Sequence, residues 1–244
     1  MKNLKSNNIS KILIIRLSSM GDVVLTTHTV RCIRKSYPKA KIDYLTLKMY
    51  KEILQYNPYI DNLFLFEKSF SKIELSNFIE NVISLRRNYD LIIDLQNNFR
   101  SRKITSQLSK NVFRFDKRRL HKLSLVYLKK SLSKSTLKIP ELYLKTVQSI
   151  VKDDFLGLEI WTKHDKENGT YLSSNSINNK NHFIIGIAPG AHFKTKRFPA
   201  EKFIQLIKII KSKINAQFFL LGGKEDFELC EVIRNNDESS IHNY

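Results

Sequence analysis

Short apolar runs alternate with segments of helical periodicity along most of the chain. Five of the runs in the first part predict β-strands: Lys11–Arg16, Lys41–Leu47, Asn62–Phe66, Asp90–Leu95 and Val112–Phe115. Helical patterns cover Val23–Lys35, Met49–Gln55, Ile73–Arg87 and Pro140–Val151, the last of which begins with a proline that favours a helix start. Strands that alternate with helices are typical of βαβ units. The pattern therefore predicts an α/β fold with parallel sheets.

Polar residues dominate 162–181, which is the composition of an exposed connection between domains. A second α/β pattern follows, with strands Phe183–Ala188 and Gln217–Leu221 and helices Ala200–Lys213 and Glu225–Arg234. We expect a first domain at 1–161, a linker at 162–181 and a partial second domain at 182–244. So few strands leave a sheet partly uncovered, and Phe218, Phe219 and Leu220 should lack part of their cover.

The composition is that of a protein with packed cores, since 42% of the 244 residues are hydrophobic. No apolar run approaches the roughly 20 residues of a membrane span, and the polar N-terminus lacks the apolar segment of a signal peptide. We therefore expect a cytoplasmic protein. Cys32 and Cys230 lie far apart in predicted helices and show no CxxC or Cys/His ligand spacing. The sequence thus predicts no disulfide, no metal site and no cofactor.

Positive charge is concentrated between Phe99 and Pro140, where Asp116 is the only acidic residue. This basic stretch contributes strongly to a formal net charge of +19 and a pI near 9.8. Two interpretations stay open. The stretch is either a contact with anionic lipid headgroups or acidic sugars, where each cation adds about 1 kcal/mol, or a solvated surface in a lysine-rich protein. Nucleic-acid binding has no support, because RNP, KH and zinc-finger signatures are absent from the sequence.

The most informative segment is Lys11–Asp22, where an apolar run ends in a small-residue turn with one carboxylate and a helical pattern follows. Backbone N–H groups and the helix dipole attract anionic ligands to such a junction. Gly21 is the only glycine of the loop, so the segment matches neither the dinucleotide fingerprint nor the P-loop.

Three motifs in order resemble glycosyltransferase family 9, the ADP-heptose:lipopolysaccharide heptosyltransferases. The motifs are Ser-Ser-Met-Gly-Asp at 18–22, Ala-Pro-Gly-Ala at 188–191 followed by Lys-Thr-Lys-Arg-Phe-Pro at 194–199, and Leu-Gly-Gly-Lys-Glu at 221–225. The resemblance implies a GT-B arrangement of two Rossmann-like domains, the first on the acceptor side and the second binding the nucleotide sugar. It also implies an inverting transfer of heptose from ADP-heptose to the lipopolysaccharide inner core.

The resemblance also implies roles for individual residues. Asp22 takes the family's catalytic aspartate position and would deprotonate the acceptor hydroxyl. The implied donor-binding residues are Gly190, Lys194, Lys196, Arg197 and Glu225, with Lys196 in particular steadying the leaving diphosphate. The implied acceptor-binding residues are Ser18, Ser19, Gly21 and Arg100.

Each of these residues also has a structural interpretation. Asp22 could serve only the helix dipole, worth about 0.3–1 kcal/mol, and the same dipole should lower its pKa and weaken it as a base. Ser18 and Ser19 could satisfy turn amides, and the lysines and Arg100 could be solvated surface charges. Asp226 is an alternative to Glu225. Asn97 stands where the family frequently has glycine, which puts the shape of that loop in question.

The family's Asp-Ser/Thr-Gly-x-x-His segment, which holds the donor phosphates, is absent from the sequence. We therefore expect a chain that is truncated at its C-terminus relative to the family. Two hypotheses follow: a heptosyltransferase that a second polypeptide completes, or a catalytically inactive module that binds anionic lipid or lipopolysaccharide. The implied partners are a nucleotide sugar, a lipopolysaccharide core and the face of the inner membrane.

Overall fold

The computed structural model divides the chain into two units, Met1–Tyr171 and Leu172–Tyr244. It describes residues 9–67, 69, 73–74, 76–78, 80, 89–108, 111–117, 137–163, 183–191, 194–236 and 241–243. The division between the units falls inside the predicted linker 162–181, most of which lies outside the described residues. The domain bounds therefore stay a prediction.

The first unit contains a parallel sheet whose strands match the predicted ones to within a residue at most ends. The strands are β1 (Lys11–Ile15), β2 (Lys41–Leu47), β3 (Asn62–Phe66), β4 (Leu91–Asp94) and β5 (Val112–Arg114). They pair in the order β3-β2-β1-β4-β5. This order confirms the predicted α/β fold, and it places the carboxyl ends of β1 and β4 side by side.

Helices connect the strands of this unit as the βαβ pattern requires. Their bounds are α1 (Met20–Leu25), α2 (Thr27–Ser36), α3 (Lys51–Leu54), α4 (Phe99–Leu108) and α5 (Ile139–Lys145). None of the helices in the described ranges is long and apolar enough to cross a membrane. The predicted helix Ile73–Arg87 lies largely outside the described residues.

The structure breaks the predicted helix Val23–Lys35 into α1 and α2 at Thr26. The Thr26 hydroxyl donates to the carbonyl of Val23 at 2.7 Å and lies 2.7 Å from the hydroxyl of buried Tyr44. A threonine that bonds a preceding carbonyl competes with the helical hydrogen-bond ladder. The tertiary contact with Tyr44 therefore fixes a break that the apolar pattern does not indicate.

The sequence analysis missed α4 and predicted α5 too long. The inner face of α4 is partly polar, since Ser101 and Thr105 are as fully buried as Ile104, and this weakens its helical hydrophobic pattern. After α5 the chain continues in turns to residue 150 and without regular secondary structure beyond, so the helical prediction for Pro140–Val151 is wrong in its second half.

The core of the first unit lies on both faces of the sheet. Ile12 and Ile14 of β1 pack into one cluster with helix residues such as Val30, and Leu13 and Ile15 pack into the other. Strands that are buried on both faces read as continuous apolar runs. This burial explains why the strands were visible in the sequence.

The second unit contains strands β6 (Phe183–Ile187), β7 (Ala216–Leu220) and β8 (Ile241–Asn243), which pair in parallel in that order. Helices α6 (Ala200–Lys211) and α7 (Phe227–Arg234) accompany them. The expectation that Phe218 and Leu220 lack cover is wrong, because both are fully buried and β7 is the central strand of the three. Phe219 is half-buried. Exposed apolar side chains occur on β6, where Phe183 and Ile184 are each 53% exposed, and on the helices, as at Ile209 and Phe227.

Candidate active site

Two loops meet at the carboxyl edge of the first sheet, one after β1 and one after β4. Gln96 joins them: its Oε1 accepts the backbone N–H groups of Leu17 at 3.0 Å and Ser18 at 3.2 Å. Its Nε2 lies 3.4 Å from the Ser18 hydroxyl. The loop that carries the first motif is therefore held by a side chain from the neighbouring strand end, where ligands bind in open α/β sheets.

Asp22 lies in the first turn of α1, and its carboxylate has several partners. Its Oδ2 accepts the backbone N–H of Ser19 at 3.2 Å and the Ser19 hydroxyl at 3.0 Å. Its Oδ1 accepts the Tyr143 hydroxyl at 2.9 Å. Arg16 Nη2 lies 2.6 Å from Oδ2, and the Asp22 side chain remains 31% exposed. The carboxylate is thus fixed in orientation and still open to solvent.

Arg16 and Tyr143 complete this cluster, and the sequence analysis named neither as a site residue. The Arg16 side chain is 9% exposed, and its Nη1 donates to the carbonyl of Leu95 at 2.7 Å. Its guanidinium carbon lies 5.3 Å from the centre of the Tyr143 ring, a cation–π distance. A charged residue directly after a buried apolar strand is the sequence signal that could have identified Arg16.

The pKa of Asp22 lies below its ordinary value. Burial raises this pKa. The hydrogen bond from the Ser19 N–H, the charge of Arg16 and the hydroxyl of Tyr143 lower it, and their combined effect is larger than that of burial. Burial also raises the pKa of Tyr143, so its hydroxyl stays protonated and donates. At neutral pH the site therefore holds an ionised carboxylate beside an arginine and a neutral phenol.

The loop after β4 contains a left-handed residue, Asn97. Asn97 has φ of 42°, in the left-handed region that asparagine tolerates better than most residues. Buried Asp94 shapes the turn by accepting the N–H groups of Gln96 and Asn97 and the hydroxyl of Ser101. Arg100 follows in the first turn of α4, is exposed, and makes no ion pair with a described residue.

The remaining acceptor-side residues differ in their surroundings. Gly21 is exposed, and a Cβ added there would meet nothing within 4 Å. Because the N–H and the hydroxyl of Ser19 both donate to Asp22, this serine holds the carboxylate. Ser18 is half-buried, and its hydroxyl lies 3.4 Å from Gln96 Nε2, a long hydrogen-bond distance.

Asp226 connects the corresponding loops of the second unit, which follow β6 and β7. Its Oδ2 accepts the backbone N–H of Gly223 at 3.2 Å. A Cβ at Gly190 would overlap the Asp226 carboxylate, and one at Gly222 would lie 2.8 Å from the Asp226 Cβ. Glycine at these two positions therefore lets one carboxylate lie between both loops.

The predicted donor-binding residues lie in the chain segments that follow β6 and β7. Arg197 Nε donates to the carbonyl of Ala191 at 2.7 Å and fixes the loop after β6. Lys196 ends the single turn of 3₁₀-helix Lys194–Lys196 and is exposed, while the side chain of Lys194 is not described. Glu225 is exposed, whereas Asp226 is half-buried and engaged by the loops.

Solved structures with the same fold are GT-B glycosyltransferases. The family 9 glycosyltransferase of Veillonella parvula superposes with a TM-score of 0.74 at 21% identity, over 96% of this chain and 69% of that one. The Escherichia coli heptosyltransferase WaaC with ADP-2-deoxy-2-fluoro heptose gives 0.69 at 18% identity, over 96% and 76%. The fold is thus that of a GT-B enzyme with two Rossmann-like parts.

The family is shown by sequence. The family model for glycosyltransferase family 9 (heptosyltransferase) matches residues 82–243, more than half of the chain. This chain therefore belongs to glycosyltransferase family 9, as the three motifs predict.

Two curated relatives agree with this assignment. Lipopolysaccharide heptosyltransferase 1 of Campylobacter coli is 33% identical over 111 residues, 45% of this chain and 32% of that protein. Lipopolysaccharide heptosyltransferase 3 of Escherichia coli is 38% identical over 78 residues, 31% of this chain and 23% of that protein. The matched segments thus span about a third or less of either relative's own length.

Replacing Tyr143 by phenylalanine should raise the pKa of Asp22. The change removes a hydroxyl that stabilises the ionised carboxylate and keeps the ring beneath Arg16. The titration of the Asp22 carboxyl carbon, followed by NMR, measures the shift. Tyr37→Phe is the matched control, because the Tyr37 hydroxyl donates to the carbonyl of Ile150 and not to Asp22. An unchanged Asp22 pKa in Tyr143→Phe would contradict the hydrogen bond.

Gly222→Ala should destabilise the second unit, whereas Gly223→Ala should not. The added Cβ at Gly222 would force the Asp226 Cβ to move, and overpacking of this kind costs about 1–3 kcal/mol. At Gly223 the nearest atom would be 3.5 Å away, at ordinary contact distance. Urea unfolding, followed for the second unit by resolved NMR signals, compares the two variants. Equal stabilities would show that Asp226 does not hold the loops.

Proposed function

We propose that this chain is a heptosyltransferase that transfers heptose from ADP-heptose to an inner-core sugar of lipopolysaccharide. The observation that carries the proposal is the Asp22 cluster in a member of glycosyltransferase family 9. An ionised, oriented and partly open carboxylate at the carboxyl edge of the sheet is what deprotonation of an acceptor hydroxyl requires. The names of the curated relatives support the substrate class.

In the proposed reaction Asp22 accepts the proton of the acceptor hydroxyl as that oxygen attacks the anomeric carbon of the heptose. The bond from this carbon to the diphosphate breaks in the same step, which inverts the configuration. A carboxylate of low pKa is a weak base, so proton transfer occurs late, when the forming bond has made the hydroxyl acidic. We assign Arg16 and Tyr143 as positioning residues, because both hold the Asp22 carboxylate.

On the donor side, we assign Lys196 to the leaving diphosphate, with Lys194 and Arg197 beside it. Cations that face the developing negative charge stabilise the departure of such a group. Gly190 allows the loop to approach the ligand closely, and exposed Glu225 is the proposed contact for the ribose or base. Asp226 is a poorer candidate for that contact because the two loops already occupy its carboxylate.

On the acceptor side, we assign Ser18, Gly21 and Arg100 to the lipopolysaccharide core. Arg100 is exposed and can form a bidentate contact with a carboxylate or phosphate of an anionic acceptor. Ser19 acts on the acceptor through Asp22. A cytoplasmic location and a contact of the basic stretch with the inner membrane belong to the same proposal, although residues 118–136 of that stretch lie outside the described ranges.

Asp22→Asn should lower kcat for heptose transfer by about 10²–10⁴, the usual contribution of a positioned base. The affinity for ADP-heptose should stay nearly constant. Because the pKa of Asp22 is lowered, wild-type activity should lose nothing to protonation of this group until the pH falls below the ordinary value of about 3.9.

Glu141→Gln is the matched control for this experiment, since Glu141 also lies in the first turn of a helix and accepts the N–H of Lys138 at 3.1 Å. Its rate should equal that of the wild type. Near-normal turnover in Asp22→Asn would remove Asp22 from the base role. A wild-type chain that binds lipopolysaccharide but never transfers heptose would favour the inactive binding module.

Lys196→Ala should lower the transfer rate by about 10²–10³, the loss usually seen when one group that stabilises developing charge is removed. The affinity for the acceptor should change little. Lys208→Ala, an exposed lysine of α6, provides the control. A defect confined to acceptor affinity would move Lys196 to the other substrate.

A further inference from the structure

Four side chains with metal-binding atoms converge away from the Asp22 cluster. His28 and Cys32 lie one turn apart on α2 and are 5% and 0% exposed. Asp153 and Asp154 come from the irregular segment after α5, and all four potential ligand atoms lie within 4.8 Å of one another. The cluster plays no part in the proposed transfer reaction.

The residue types are those of a zinc site. Imidazole nitrogen, thiolate sulfur and carboxylate oxygen are the ordinary zinc ligands, and two ligands at positions i and i+4 of one helix project from the same face. Tetrahedral bonds of roughly 2.0–2.1 Å place nitrogen and oxygen ligands about 3.3 Å apart. In the structure, His28 Nε2 lies 2.9 Å from Asp153 Oδ1 and 3.5 Å from Asp154 Oδ1. These distances bracket the tetrahedral value.

The orientation of the carboxylates is fixed before any cation binds. Asp153 Oδ1 accepts the backbone N–H of Phe155 at 2.8 Å. Asp154 makes two hydrogen bonds with Arg31, at 2.7 and 2.9 Å, and lies 2.8 Å from Lys35 Nζ. Partners of this kind orient ligands in metal sites.

Ion pairs hold the segment that carries the two aspartates against α2. Arg31 contacts Asp154, its Nη1 lies 3.0 Å from Glu159, and Lys35 also contacts Asp154. Asp153 contacts His28. Arg31 and Lys35 therefore position Asp154 beside His28 and Cys32.

We propose that His28, Cys32, Asp153 and Asp154 form a structural zinc site that ties α2 to the segment following α5. His28 Nε2, Cys32 Sγ and one oxygen from each aspartate supply the four ligands, and the thiol proton is released to solvent on binding. Asp153, whose side chain is 26% exposed, provides the open side through which the ion enters. This proposal revises the prediction that the chain binds no metal.

His28 and Cys32 have the i, i+4 spacing of two ligands on one helix face, so the prediction that the cysteines show no Cys/His ligand spacing is wrong. The spacing alone is a weak signal, since the other two ligands lie 125 residues or so farther along the chain. Only the packing of the segment on α2 brings them together.

Cobalt and zinc binding test the proposal on the full chain, freed of any histidine tag and stripped with a chelator. We expect the protein to bind about one equivalent of Zn²⁺, measured by elemental analysis after dialysis, with a rise in the thermal unfolding midpoint. Co²⁺ should give the intense visible bands of a tetrahedral site and a thiolate-to-cobalt charge-transfer band, which Zn²⁺ then abolishes.

Cys32→Ser should abolish the charge-transfer band, and Cys230→Ser is the matched control, because Cys230 is equally buried but belongs to the second unit. Asp153→Asn is the milder variant at a partly exposed position, and it should weaken zinc binding at least about tenfold. Circular dichroism checks that Asp153→Asn is folded before the titration. The Asp153→Asn measurement therefore tests the proposal even if Cys32→Ser does not fold.

Three results would overturn the proposal. The first is a wild-type chain that retains well under one equivalent of zinc. The second is an octahedral cobalt spectrum without a thiolate band. The third is an Asp153→Asn variant that binds zinc as tightly as the wild type, which would leave the cluster as an ion-pair network only. None of these readouts depends on heptose transfer.

Discussion

The buried charge of Arg16 is the constraint on which the candidate active site depends. A guanidinium that is 9% exposed must be compensated, because an unpaired charge in such a position is very costly. The carbonyl of Leu95, the carboxylate of Asp22 and the face of Tyr143 provide that compensation. Each partner comes from a different element, so the arginine links β1, β4, α1 and α5 at one point.

The same compensation sets the chemistry of Asp22. The groups that neutralise Arg16 and fix the carboxylate also stabilise its ionised form, so its pKa is low. A stronger base would need fewer hydrogen bonds, but it would then lose its fixed orientation. The site favours orientation over basicity, which is consistent with a reaction in which the acceptor proton moves only as the new bond forms.

Helix α2 couples this edge of the sheet to the segment that leaves the first unit. It follows directly on α1, and its buried face presents His28, Cys32 and Arg31 to residues 153–159. The break at Thr26 separates α2 from α1, which carries Asp22. A zinc ion at the proposed site would fix this connection without entering the chemistry at Asp22.

The sequence by itself determined the parallel sheet of the first unit, the family and the position of Asp22. Buried parallel strands are continuous apolar runs, and the motifs are short local segments, so both are visible without the fold. Only the tertiary structure decided the partners of Asp22, because Tyr143 lies 121 residues away from it and Leu95 lies 79 residues away from Arg16. The tertiary structure also revealed α4 and the short strand β8. The buried face of α4 is partly polar, so its apolar residues do not show the helical repeat. Pairing, burial and hydrogen bonding between distant segments leave no local pattern, which is why these features required the fold.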